Sequence, residues 1–190
     1  MKLLRTAIND VVIVEPAVFG DERGFFFESF NEARFEGALA EAGLPRPRRF
    51  VQDNHSRSQR GVLRGLHYQL PPHPQGKLVR VVRGAAWDVA VDIRRGSPTF
   101  GRWVGVELTE SNHRQLWVPE GFAHGFIALS DDTHFLYKTT DYYARDCERA
   151  IRWDDPTIAI QWPDVGGAPL LAPKDAAAPL LAQAQVFGDA

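Results

Sequence analysis

The chain reads as a mainly β protein, an antiparallel sandwich or barrel with only a few short helices. Three observations predict it. From Phe50 onward, short runs rich in β-branched and aromatic residues follow one another: LVRVV (78–82), AWDVAVDI (86–93), WVGVEL (103–108), QLWV (115–118), GFIAL (125–129) and HFLYKTT (134–140). The breaks between them, such as RRGSPTFG, TESNH, PEG and SDD, consist of turn formers. These breaks recur at roughly 8–12 residues, the spacing of an all-β sandwich or barrel.

Taken in order, VVIV (11–14) is a short strand. DERGFFFESF (21–30) opens on a polar turn and continues as alternating aromatics, with Phe25, Phe27 and Ser29 on one face and Phe26, Glu28 and Phe30 on the other. A carboxylate in such a strand faces solvent or, with Arg23, a pocket. Asn31 suits the N-cap of one clear helix, NEARFEGALAEAGL, whose stripe is Phe35, Ala38, Leu39 and Ala42 and whose stop is Gly43. Arg46, Arg48 and Arg49 follow as a solvated charge run. FVQDNHS (50–56) alternates into polar residues. RGVLRGLHYQLPPHPQGKLVRVVRG (60–84) reads as strand, proline-stiffened loop and strand, which sets His67 and Lys77 on one wall of a cleft. In AWDVAVDI, Trp87, Val89, Val91 and Ile93 face one way and Asp88, Ala90 and Asp92 the other. After IRWDDP (151–156) a Gly/Pro/Ala-rich tail carries one charged pair, Lys174-Asp175, before Asp189. It has room for a short helix, or for a lid that delivers a carboxylate.

A length of 190 residues suits one domain, with a core over about 11–165 and a tail over 166–190. Lys+Arg 22 against Asp+Glu 24 leaves a net charge of -2, so bulk charge points to neither nucleic acid nor an anionic membrane. The single cysteine, Cys147, rules out an intrachain disulfide and suits a reducing compartment. Arg5 and Asp10 break the apolar residues of MKLLRTAIND, so no signal peptide is expected. No uncharged apolar run reaches the ~20 residues of a membrane span. A cytoplasmic protein is the expectation.

PEGFAHGF (119–126) matches the P-x-G-x-x-H core of the second cupin motif, which puts His124 at the start of an inward-facing barrel strand. Metal-binding cupins add an H-x-H pair, but the corresponding place here is His67-Tyr68-Gln69. Two histidines make a poor metal cage, so no metal is expected. His67, Lys77, His124 and Tyr137 read instead as an acid–base site.

RGVLRGLHYQ, QGKLVRVVRG, WVPEGFAHGF and YKTTDYY, with DERGFFFESFN, FVQDNHS and IRWDDP, strongly resemble the dTDP-4-dehydrorhamnose 3,5-epimerase family over about residues 20–175. The resemblance implies a cupin-like jelly-roll barrel. It implies inversion of a dTDP-linked 4-keto-6-deoxy sugar at C3 and C5, with no cofactor. By that resemblance His67 is the base, Asp175 its orienting carboxylate, Lys77 with His124 the support for the enolate oxygen, and Tyr137 the acid on the far face. Substrate contacts carry over to Arg23 and Arg64 (diphosphate), Glu28, Gln52 and Asn54 (thymidine and sugar), Tyr143 (thymine stacking), Glu148 and Lys174. A homodimer with exchanged N-terminal strands is implied too, in which Arg23 and Glu28 serve the neighbour's site. Alternatives are a single-site 3- or 5-epimerase or ketoisomerase on another dTDP-sugar, a metal-dependent oxygenase, and a non-catalytic sugar-binding module.

Overall fold

Short strands separated by tight turns dominate the chain. The structure is a computed structural model and describes residues 1–188; the end of the tail lies outside the described residues. The elements are β1 (Lys2–Arg5), β2 (Val12–Glu15), β3 (Phe19–Asp21), β4 (Gly24–Phe26), α1 (Glu32–Glu41), β5 (Gln52–Ser58), β6 (Val62–Gln69), β7 (Lys77–Arg83), β8 (Ala85–Asp92), β9 (Trp103–Thr109), β10 (Gln115–Val118), β11 (Phe122–Ala128), β12 (Thr133–Thr139), β13 (Glu148–Ala150), β14 (Leu170–Leu171) and α2 (Pro173–Ala176).

Two sheets make the barrel. One runs β1-β2-β10-β7-β12-β5 and the other β13-β6-β11-β8-β9. All these neighbours are antiparallel; β14 adds in parallel onto β6. Val79, Val81, Ala90, Leu116, Phe126 and Phe135 fill the space between the sheets. Each sheet is also covered on its outer face. Phe35 and Leu39 of α1 pack on Val12, Val14, Leu78 and Trp117. On the other side, Ile151, Ile158, Leu181, Ala184 and Val186 of the C-terminal segment pack on Leu66, Val89, Val91 and Ile93. Burial on both faces explains why β10 and β11 are buried at every position, a pattern that does not alternate in sequence.

The helix starts where its sequence requires. Asn31 is extended (φ -148°, ψ 115°) and its side chain accepts from the Arg34 N–H, 3.1 Å away. Gly43 follows the helix at φ +70°. The arginine run is paired: Arg46 with Glu36, Arg48 with Glu120 and Asp141, Arg49 with Glu32. The aromatic stretch differs from expectation. It forms only the small hairpin β3–β4, and its residues beyond Phe26 leave the strand. The strand β1 was not expected either; Leu3 and Leu4 pair with Val14 and Ile13. Among the described residues, no helix is long and apolar enough to cross a membrane.

Candidate active site

Between the sheets opens a cavity of about 700 Å³, lined by residues of β5, β6, β7, β11 and β12 and by the segment around β14 and α2. That volume suits a substrate-sized molecule. The inner faces of these strands decide what it displays. On β5, Gln52, Asn54 and Ser56 alternate inward; on β12, Tyr137 stands opposite Asn54 in register. On the facing sheet, His67 of β6 stands directly opposite His124 of β11. The phenol and the two imidazoles therefore project from opposite walls.

Two glycines hold the histidine strands close. A Cβ on Gly65 would lie 2.5 Å from the Gly125 Cα, and one on Gly125 would lie 2.7 Å from the Arg64 carbonyl oxygen. The β6–β11 register shifts at that point. Only glycine at both positions allows this approach.

Each imidazole gives one nitrogen to a carboxylate. His67 Nε2 lies 2.6 Å from Asp175 Oδ1, and His124 Nε2 lies 2.7 Å from Asp88 Oδ1. A carboxylate accepts, so both rings carry a proton on Nε2, and in the neutral tautomer this leaves Nδ1 as the lone pair. Asp175 is 2% exposed. Burial pushes its carboxyl up, but the bond and charge of His67, the Gly65 N–H and Lys174 outweigh that and hold it below the usual value. It is therefore an ionised partner for His67. Burial lowers His124, against the upward pull of Asp88, so this imidazole is neutral at pH 7.

Lys77 Nζ donates to the His67 carbonyl oxygen, 3.1 Å away. Burial lowers the ammonium to about 8, opposed by Asp88 and Glu148, which leaves it mostly charged at pH 7. Burial pushes the Tyr137 phenol above its ordinary value, so it stays protonated there. At the rim, the Gln52 amide donates to Asn54 and accepts from the Tyr143 N–H. Tyr143 and Lys174 both donate to Glu148, at 3.1 and 2.9 Å. Arg64 donates to Ser58 Oγ, 3.2 Å away, and to the Arg57 carbonyl oxygen.

The cavity thus brings together His67, Lys77, His124, Tyr137, Asp175, Gln52, Asn54, Arg64, Tyr143, Glu148 and Lys174. Arg23 and Glu28 lie elsewhere. Arg23 sits at the hairpin tip, bound to Asp21, and Glu28 pairs with Arg34 and accepts from Asn31. Sequence reasoning missed two groups. Asp88 is fully buried behind His124, and the signal for it was an acid facing inward in an otherwise apolar strand. Ser56 also lines the cavity, hidden within a run of polar residues. Among the described residues no group of three or more His, Cys, Asp or Glu could hold a metal ion.

The family model described as dTDP-4-dehydrorhamnose 3,5-epimerase matches residues 5–183. The chain is 59% identical over 175 residues to the Shigella flexneri protein of that name, covering 92% of this chain and 93% of that one. It is 57% identical over 187 residues to the Pseudomonas aeruginosa one, covering 98% and 99%. It superposes with a TM-score of 0.88 on the Legionella pneumophila dTDP-6-deoxy-D-glucose-3,5-epimerase solved in complex with dTDP-4-keto-L-rhamnose, at 54% identity, covering 96% of this chain and 93% of that one.

Proposed function

Because the chain belongs to the dTDP-4-dehydrorhamnose 3,5-epimerase family, we infer that its cavity takes dTDP-4-dehydro-6-deoxy-D-glucose and inverts it at C3 and C5, giving dTDP-4-dehydro-L-rhamnose, in dTDP-L-rhamnose formation. Both carbons lie next to the C4 ketone, so removal of either proton gives an enolate. Hydrogen leaves and returns as a proton, and no redox partner takes part.

The assignment of roles rests on one observation: an imidazole with an ionised carboxylate behind it and a protonated phenol line the same cavity from opposite sheets. With Nε2–H on Asp175, His67 has Nδ1 free to take the proton, and Asp175 stabilises the imidazolium that forms. Tyr137 returns a proton on the other face, which is what inversion requires. Lys77 carries positive charge to the developing C4 oxyanion. His124, neutral and tied to Asp88, borders that ammonium and shapes the site around it.

The nucleotide end follows from the rim. Tyr143 offers a ring for thymine, Gln52 and Asn54 offer polar contacts to thymidine and sugar, Glu148 and Lys174 offer further polar contacts to the nucleotide, and Arg64 suits phosphate oxygens. Arg23 and Glu28 then act from a second copy of the chain. This reading is supported by the hairpin, where Phe19, Phe25 and Phe26 are 67%, 63% and 73% exposed, an apolar patch that a homodimer with exchanged N-terminal strands would cover. The free Cys147 suits a cytoplasmic location.

Incubation with dTDP-4-keto-6-deoxyglucose in D2O, followed by NMR, tests the function. Deuterium enters at both C3 and C5. Incorporation at one carbon alone would reduce the enzyme to a single-site epimerase.

A further inference from the structure

Among the described residues, the Ser56 Oγ is buried without a hydrogen-bond partner, yet Ser56 lines the cavity. Such a hydroxyl costs stability unless something arrives to satisfy it. Its place along the sheet says what arrives. On the β5–β12 ladder Asn54 stands opposite Tyr137, Ser56 opposite Phe135 and Ser58 opposite Thr133. Ser56 is thus one inward step from the phenol. It is one step in the other direction from Ser58, whose hydroxyl accepts from Arg64. The neighbouring Phe135 and Phe126 rings, stacked 4.1 Å apart, offer it no polar atom.

We propose that the Ser56 hydroxyl binds the C2 hydroxyl of the bound hexose and makes the enzyme selective for sugars that carry it. The inference rests on the epimerase reading above. In that substrate C2 is bonded both to C1, which carries the diphosphate, and to C3, which reacts. With Arg64 at the diphosphate and Tyr137 at the reacting carbons, the substituent between them is the C2 hydroxyl. A serine can donate to it and accept from it. A site built to bond a hydroxyl discriminates against the analogue that lacks one, because its own polar group is then left unpaired.

The test compares wild type and Ser56→Ala on dTDP-4-keto-6-deoxyglucose and on its 2-deoxy analogue, with thermal melting of both proteins. On the full substrate Ser56→Ala lowers kcat/KM by roughly 3- to 10-fold. On the 2-deoxy analogue the two proteins agree within about 2-fold, since the partner of the hydroxyl is already gone. Ser56→Ala melts no lower than wild type, because it removes an unpaired buried group. An equal loss on both sugars, or no loss on the full substrate, overturns the proposal while leaving the epimerase standing. A wild type inert towards the full substrate overturns the epimerase reading and this inference with it.

Discussion

In the proposed mechanism His67 takes one proton and Tyr137 returns another on the opposite face, and each can be removed separately. Tyr137→Phe keeps the base and the ammonium, so C–H exchange with D2O persists while inversion falls by ~10²–10⁴-fold; NMR of the recovered sugar reads both. Wild-type inversion by this variant would remove the phenol from the mechanism. Lys77 sets the pH dependence. Its ammonium is lowered to about 8 by burial, and the proposed mechanism needs its charge. The rate therefore falls as pH rises through that value and the ammonium loses its proton. The Tyr137 phenol is pushed upward instead, so it titrates above this limb and does not produce it. A kcat/KM profile that stays flat from pH 7 to about 9.5 would assign the oxyanion to another group. The meeting of His67, Lys77, His124 and Tyr137 in one cavity was legible in the sequence because each stands in a long, specific motif. Asp88 was not, because an inward acid in an apolar strand looks the same whether it meets a histidine or a structural partner. Arg23, which the resemblance assigns to a neighbouring subunit's site, lies outside its own chain's cavity with its guanidinium on Asp21 two residues away.

At the scale of elements, the close crossing of β6 and β11 keeps His67 and His124 side by side. Gly125→Ala drives a methyl to within 2.7 Å of the Arg64 carbonyl oxygen, which is rigid backbone. Overpacking of this kind costs about 1–3 kcal/mol, a fall of roughly 3–10 °C in Tm for a chain of this size. Activity drops further than stability because the strand carrying the base moves. Melting curves and assays of one preparation check both. The strands themselves were legible from turn residues and β-branched runs, and the helix from its cap and stripe. The brief β1 was not, since two leucines between basic residues carry no periodic signal. The tail's short helix was expected, but its β14 was hidden for a related reason. Short elements that dock on an existing sheet draw their order from the surface they cover rather than from local preference.

At the scale of the whole molecule, the β3–β4 hairpin holds Phe25 against His113 yet leaves Phe19, Phe25 and Phe26 largely exposed. If Arg23 serves the neighbouring subunit, two crippled variants repair each other. Arg23→Ala and His67→Asn, each nearly inactive, are mixed and allowed to exchange subunits. Half the molecules become mixed dimers with one intact site each, which restores activity to about a quarter of wild type. If Arg23 acts within its own chain, or not at all, mixing restores nothing. This arrangement cannot be read from a single sequence, since a surface aromatic cluster looks alike whether it meets solvent or a twin.

Asp175 lies far along the chain, fastened by a parallel strand and by the packing of Leu181, Ala184 and Val186. During translation the barrel strands and their histidines leave the ribosome well before this aspartate. A nascent or prematurely stopped chain that lacks this segment carries the imidazole without the carboxylate that the proposed mechanism sets behind it. On the proposed mechanism, catalysis begins only once α2 has docked and brought that carboxylate to His67.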